Sequence, residues 1–284
     1  MTTGNSIPIF IADAFVSDLP CSGNPAAVCL IDTQQSAEWM QAVAAEIDLS
    51  ETAFVKATGS SFELRWFTPV VEAELCGHAT LAAAHILWQQ GSIPDDHDLV
   101  FQSMGGSLKA SKAGNSIELD FPATPESPCI PPAGLLDVLG IEATYVGKSR
   151  YDYMIVADSE NSVRNLSPDM GKLRALGIPG VIVTCRSEGP EYDFISRYFD
   201  PGSGIDEDPV TGSAHCCLGP YWAHVLGRET LSAYQASPRG GVVGVRVSES
   251  RVFLRGSART GSSRCIVPQG FKDFYSITDL EKCI

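Results

Sequence analysis

Apolar and polar positions along this chain alternate mostly in short, strand-length runs, and only a few stretches keep helical spacing. Ile7 to Phe15 reads as a strand. Cys21-Ser22-Gly23-Asn24-Pro25 is a turn by composition and leads to a second strand, Ala26 to Ile31. Trp39, Met40, Val43, Ala44 and Ile47 fall on one helical face, with Ser36 placed to cap it. Strands follow from Ala53 and over Phe62 to Phe67. A segment opened by Gly77 is apolar on most sides and ends before Gly91, as a buried helix would. Leu99 to Phe121 divides into three short strands at Gly105-Gly106 and Gly114-Asn115. The order then restarts, with a short helix over Leu135 to Leu139 and strands near Thr144 to Val146 and Tyr153 to Val156. Asp169 to Leu176 reads as a helix, Val181 to Thr184 and Phe194 to Phe199 as strands, and Gly212 opens a second all-round apolar segment. Pro220 inside that segment predicts a short or kinked helix. Val242 to Val247 and Arg251 to Arg255 form a hairpin-like pair.

The restart is also visible in the residues. Arg65-Trp66-Phe67-Thr68-Pro69 matches Arg197-Tyr198-Phe199-Asp200-Pro201, and Gly77-His78-Ala79-Thr80 matches Gly212-Ser213-Ala214-His215. The offsets are 132 (197 − 65) and 135 (212 − 77), near half of 284 residues, which argues for a duplicated half. The expectation is two similar lobes, each offering one helix start, with a ligand between them. Strands outnumber helices, and helices do not alternate strictly with strands. The class is therefore α+β: two pseudo-symmetric lobes, each a curled, mostly antiparallel sheet around a central helix. Pro122 to Pro132 holds five prolines and is the linker candidate. It divides the chain into a lobe over 1–122 and a lobe over 123–269, with about 270–284 packing back on the first.

Composition narrows the function. The net charge of −14 and pI near 4.7 weigh against nucleic acid and anionic membrane as partners. An anionic small molecule stays possible, because helix starts act locally. No run of 18 apolar residues suggests a spanning helix. The nine cysteines show no Cys-x-x-Cys pair, and the N-terminus shows no secretory pattern, so buried thiols in a reducing cytoplasm are expected and no metal site is read.

The candidate chemistry collects at the two glycine-led helix starts. Free N–H groups there suit a carboxylate. Gly77 and Ala79 frame the first start, Thr211 and Gly212 the second, and all four are candidate substrate contacts. Asp206, Glu207 and Asp208 precede the second start. Ser213 sits inside it, where its hydroxyl and the Gly212 backbone could bind a carboxylate. His78, at a positive helix end, is expected as a neutral imidazole that donates a hydrogen bond or shuttles a proton. Asn24 is either a turn residue or a substrate amide. Cys76 reads first as a small buried hydrophobe. Arg239 in Pro238-Arg239-Gly240-Gly241 reads as a loop residue before an anion contact. His85, His97, His215 and His224 have no assigned role.

Gly23-Asn24-Pro25, Ser50-Glu51-Thr52-Ala53, Cys76-Gly77-His78-Ala79-Thr80 and Asp208-Pro209-Val210-Thr211-Gly212-Ser213-Ala214 together resemble the PhzF-like phenazine-biosynthesis isomerase family. The resemblance covers nearly the whole chain. It implies the diaminopimelate-epimerase-like fold and a cofactor-free, cytoplasmic enzyme, commonly a homodimer. It implies that Glu51 is the proton-transferring acid/base and that His78, Asp208 and Ser213 line the same site. The expected function is a biosynthetic isomerase moving a proton within a small carboxylate-bearing substrate. The related two-thiol racemases and epimerases carry one cysteine per half. Cys76 stands where the first would be, but Val210-Thr211-Gly212 has no second. A Cys76-dependent racemase and a non-catalytic binding protein of the same fold are the alternatives.

Overall fold

A computed structural model describes residues 6–269 and 274–279, with side chains described through residue 266. In chain order the elements are β1 (Ile7–Ala14), β2 (Asn24–Leu30), α1 (Ala37–Ile47), β3 (Glu51–Thr58), β4 (Ser61–Phe67), β5 (Glu72–Ala73), α2 (Gly77–Gln89), β6 (Leu99–Ser103), β7 (Gly106–Ala113) and β8 (Ser116–Pro122). They continue with β9 (Ser127–Pro128), α3 (Leu135–Leu139), β10 (Ala143–Lys148), β11 (Tyr153–Ala157), α4 (Glu160–Arg164), α5 (Met170–Ala175), β12 (Val181–Arg186), β13 (Phe194–Phe199) and α6 (Gly212–Leu226). The last strands are β14 (Thr230–Gln235), β15 (Gly241–Ser248), β16 (Arg251–Gly256), β17 (Ala258–Gln269) and β18 (Phe274–Asp279). The class is α+β as expected, with mostly antiparallel strand pairs. No described helix is long and apolar enough to cross a membrane.

Contacts divide the chain into two units, one of residues 1–14, 25–112 and 258–284, the other of 15–24 and 113–257. In the first, β2 runs parallel to β3 and β3 antiparallel to β4. β17 pairs antiparallel with β1, and α2 packs on β1, β3 and β17. Eleven of the thirteen α2 residues are buried, which is why its sequence is apolar all round. The other sheet face is covered by α1, whose Met40, Val43 and Ala44 pack with Ile9, Ala27, Cys29, Phe54 and Phe67. Ser36 caps α1 by accepting from Trp39 N–H.

The second unit repeats the scheme. β11 runs parallel to β12, β12 is antiparallel to β13, and α6 packs on β14, β15 and β16. The repeated arginines repeat their contacts too. Arg65 forms a two-pronged pair with Glu72 and lies 5.2 Å from the Phe67 ring centroid. Arg197 does the same with Glu207, 5.1 Å from the Phe199 ring. The duplication read from Arg-aromatic-Phe is therefore a structural repeat.

Several expectations are corrected. The contact division falls at Ala113 rather than 123, and at Ser257 rather than 269, because β8 pairs with β16 inside the second unit and β17 pairs with β1 inside the first. Residues 15–24 join the second unit because Phe15, at φ 56°, accepts from Val242 N–H, and Gly241 and Gly256 leave room that a Cβ would fill against Phe15. Of the tail expected to return, residues 270–273 and 280–284 lie outside the described residues. The proline-rich stretch is not a free linker, since β9 pairs with β10. Pro220 does not break α6, which runs fifteen residues. The carbonyl that a residue 220 N–H would have bonded, that of Cys216, instead accepts from Thr124 N–H at 3.1 Å. Seven cysteines are free thiols, but Cys265 is disulfide-bonded, against the expectation of thiols throughout.

Candidate functional site

In the first unit, the first residue of β3 meets the start of α2. Cys76 is the N-cap and makes no side-chain cap hydrogen bond, although its sulfur faces the Ala79 N–H of the first turn. His78, in the first turn, is 2% exposed. Its Nε2 lies 3.1 Å from Glu51 Oε2. The approach is off the hydrogen-bond line, so both atoms are buried without a hydrogen-bond partner although an ion pair is within reach. On the ring's other side, Cys76 Sγ lies 3.6 Å from Nδ1. Thr80 Oγ1 donates to the Cys76 carbonyl at 2.5 Å and fixes this corner.

The electrostatics correct one expectation. Burial opposes a charge on His78, but the acidic neighbours Cys76 and Glu51 outweigh it and hold the imidazole well above its ordinary range. The helix dipole alone predicted a neutral ring; the carboxylate 3.1 Å away was not visible from sequence spacing. Burial and then Glu51 push the Cys76 thiol up to about 11, a rise that the facing His78 opposes. Glu51, Cys76 and His78 have a donor set that could suit a metal ion. However, sulfur faces Nδ1 and carboxylate faces Nε2, and the lone pairs of those nitrogens diverge. One ion therefore cannot take all three in this arrangement.

In the second unit, Asn24, Asp208, Thr211 and the start of α6 come together. Asp208 Oδ1 accepts from Asn24 Nδ2 at 2.7 Å, and Oδ2 accepts from Thr211 Oγ1 at 2.5 Å. Thr211 is the N-cap, yet its hydroxyl goes to Asp208 and leaves the helix start uncapped, with Gly212 buried and Ser213 half-buried next to it. The three acids before this start separate by partner. Asp206 pairs with Arg174 and Glu207 with Arg197, both at 2.7 Å. Asp208 is the one turned toward Asn24 and the α6 start. Asn24 is wholly buried; its Nδ2 donates to Asp208 and to the Val210 carbonyl, while its Oδ1 is buried without a hydrogen-bond partner. Arg239 Nε donates to the Gly23 carbonyl, consistent with a loop role.

The structure thus brings Glu51, Gly77, His78 and Ala79 together in one unit, with Cys76 added. It brings Asn24, Asp208, Thr211, Gly212 and Ser213 together in the other. Sequence reasoning missed Gln235 and His215. Gln235, wholly buried on β14, accepts from Thr211 N–H at 2.8 Å and donates to the Asp208 carbonyl at 2.7 Å. His215 Nδ1 lies 2.7 Å from the Thr211 carbonyl, and burial pushes this imidazole down to about 4, so it is neutral and donates there. The one signal for Gln235 was its place as the third position, after Leu231 and Ala233, of an alternating run.

The phenazine biosynthesis-like protein (PhzC-PhzF) family profile matches residues 12–264. An uncharacterized isomerase from Halalkalibacterium halodurans is 50% identical over 254 residues, 89% of this chain and 96% of the relative. The crystal structure of a phenazine biosynthesis protein PhzF family member from Enterococcus faecalis aligns with TM-score 0.82 and 42% identity, covering 91% of this chain and 98% of that one. A hydroxyproline epimerase structure from Agrobacterium vitis aligns over 94% of both chains with TM-score 0.63 at 12% identity, a likeness of fold.

Proposed function

The chain belongs to the phenazine biosynthesis-like (PhzC-PhzF) family, and from that premise we propose that it is an isomerase moving a proton within a small carboxylate-bearing substrate, with Glu51 as the acid/base. The observation that carries this reading is the buried approach of His78 Nε2 to Glu51 Oε2 at 3.1 Å beside an uncapped helix start. A substrate carboxylate on the free α2 donors places the adjacent carbon near Glu51. Glu51 takes the proton from one carbon and returns it to another on the same face. His78, held toward its charged form by that carboxylate, offsets the negative charge that develops while the proton is in transit. The proton leaves and returns through one side chain, so this step asks for no cofactor. Asp208 and Ser213 are substrate contacts of the second unit, Asp208 for an amine or hydroxyl and Ser213 for a carboxylate.

The racemase reading through Cys76 is weaker. Its thiol is pushed up to about 11, and the matching position of the second unit is Thr211. The test is a mass-spectrometric screen of carboxylic and amino-acid metabolites for deuterium taken up from heavy water. On the metabolite found, Glu51→Gln should lower uptake by about 10²–10⁴-fold with the fold retained. Full uptake in that variant would refute Glu51 as the base. Loss in Cys76→Ser but not in Glu51→Gln would establish the thiol reading instead.

A further inference from the structure

The loop that delivers Asp208 into α6 is held in an unusual way. Four successive backbone carbonyls, of residues 208 to 211, each accept a hydrogen bond from a different side chain. Gln235 Nε2 donates to Asp208 O at 2.7 Å, and Ser237 Oγ donates to Pro209 O at 2.8 Å. Asn24 Nδ2 donates to Val210 O at 3.0 Å, and His215 Nδ1 to Thr211 O at 2.7 Å. Short loops normally leave such carbonyls to water. Here every acceptor is tied down from behind, which leaves the α6 start open on its donor side.

Gln235 makes the most contacts of the four. Its amide spans the loop from end to end: Nε2 to Asp208 O and to Thr211 Oγ1 (3.1 Å), and Oε1 from Thr211 N–H at 2.8 Å. Thr211 Oγ1 in turn donates to Asp208 Oδ2. The amide orientation is fixed, because reversing it would set oxygen against the Asp208 carbonyl and nitrogen against an N–H. The residue sits at the end of β14, paired with β15 through Gly241 and with β13 through Ser196, so its own backbone is anchored on both sides. We propose that Gln235 is a positioning residue, whose side-chain amide clamps the Asp208–Thr211 loop so that the Asp208 carboxylate and the α6 donors are set before a substrate carboxylate arrives. The relevance to catalysis rests on the proposed role of Asp208 and Ser213; the clamp itself can be tested without it.

The informative variants are Gln235→Leu and Gln235→Glu. Leucine removes donor and acceptor without adding charge. The new carboxyl in Gln235→Glu can mimic the amide only while protonated, accepting from Thr211 N–H and donating to Asp208 O. Burial raises the pKa of such a group. The first measurement is amide hydrogen exchange over residues 208–214, read per residue by NMR. Gln235→Leu should lose protection at Thr211 by at least about tenfold at every pH, with the core strands of the unit unchanged. Gln235→Glu should lose it near pH 8 and regain it near pH 5. The second measurement uses benzoate as a simple carboxylate probe, followed through the Gly212 and Ser213 amides. Its affinity should fall about tenfold or more in Gln235→Leu and recover with falling pH only in Gln235→Glu. Wild-type protection at Thr211 in Gln235→Leu, or no pH-dependent rescue in Gln235→Glu, would overturn the clamp. Absence of benzoate shifts in the wild type, with the exchange pattern as expected, would overturn the carboxylate role of the α6 start and leave the clamp standing.

Discussion

His215 and Asp152 should make the stability of this protein depend on pH in opposite directions. His215 is wholly buried, and its folded-state pKa is lowered from 6.5 to about 4 by desolvation, against a raising contribution from its bond to Thr211. The unfolded chain therefore binds a proton that the folded chain refuses between those values. Stability from this group is fully present above 6.5 and is lost as pH falls through about 4. At 1.36 kcal/mol per pKa unit, the loss is about 3 kcal/mol. Asp152 behaves in the reverse sense. Burial raises it from 3.8 to about 6, opposed by the hydrogen bond from Tyr198, so its contribution is present below 3.8 and is lost as pH rises through about 6. That loss is also about 3 kcal/mol. In the wild type the two nearly cancel between pH 4 and 6. Single variants should expose each. Relative to wild type, His215→Leu should gain about 3 kcal/mol as pH falls from 7 to 4, on top of a pH-independent loss of about 1 kcal/mol for the hydrogen bond to Thr211. Asp152→Asn should gain about as much as pH rises from 4 to 7. Urea unfolding at pH 4, 5.5 and 7, with unchanged m-values, reads these differences directly, since other carboxylates are common to all three proteins. If His215→Leu stays parallel to wild type across that range, the imidazole is not held neutral by burial.

Two further outcomes follow from the packing. A Cβ at Gly180 would fall on Tyr198 Oη and Asp152 Oδ1, so Gly180→Ala should destabilise by about 1–3 kcal/mol in thermal unfolding, and the cost should shrink in a Tyr198→Phe background, where the hydroxyl is gone. Because Cys76 is buried and pushed up to about 11 while Cys21 is exposed, iodoacetamide at pH 7.5 should label Cys21 well before Cys76 by peptide mass spectrometry; equal rates would contradict the protonated, enclosed thiol.

The architecture was legible in the chain because burial writes itself into period and composition. Eleven buried positions in α2, nine of them apolar or glycine, leave little room for polar residues, and the twin arginine motif marks the same strand in each unit. The helix starts were legible because a glycine, Gly77 or Gly212, opens each of the two apolar helices. What stayed hidden depended on contacts between distant positions. Pro220 sits inside a continuous helix only because Thr124 supplies a donor from far away in sequence. The charge preference of His78 depends on a carboxylate 27 residues earlier (78 − 51), which no helix-dipole argument contains. Gln235 escaped because β14 carries an amide at its third inward position, after Leu231 and Ala233, and an inward polar residue breaks the alternation that marks a strand. Such an exception is expected where a buried polar group has work beyond packing.

The repeat also shows what stands in the second unit at the position of Glu51. Phe67 pairs with Thr52, and the matching Phe199 pairs with Val181, so the residue corresponding to Glu51 is Gly180. Glu51 lies beside Ala26 on the parallel neighbour, whereas the Gly180 carbonyl accepts from Tyr153 N–H, which sets Asp152 beside Gly180. Acid and small residue have exchanged strands between the two copies. The exchange has a physical consequence. Glu51 extends from its strand as far as His78 at the α2 start, but Asp152, a shorter side chain, is received into the space Gly180 vacates and is held there by Tyr198 at 2.8 Å. It is 3% exposed, and burial raises it to about 6. At the second helix start stand Ser213 and Asp208, whose two carboxylate oxygens accept from Asn24 and Thr211. The two copies thus differ at this position by the reach of one side chain: a glutamate that meets the helix start in the first unit, and a glycine that seats the neighbouring strand's aspartate in the second.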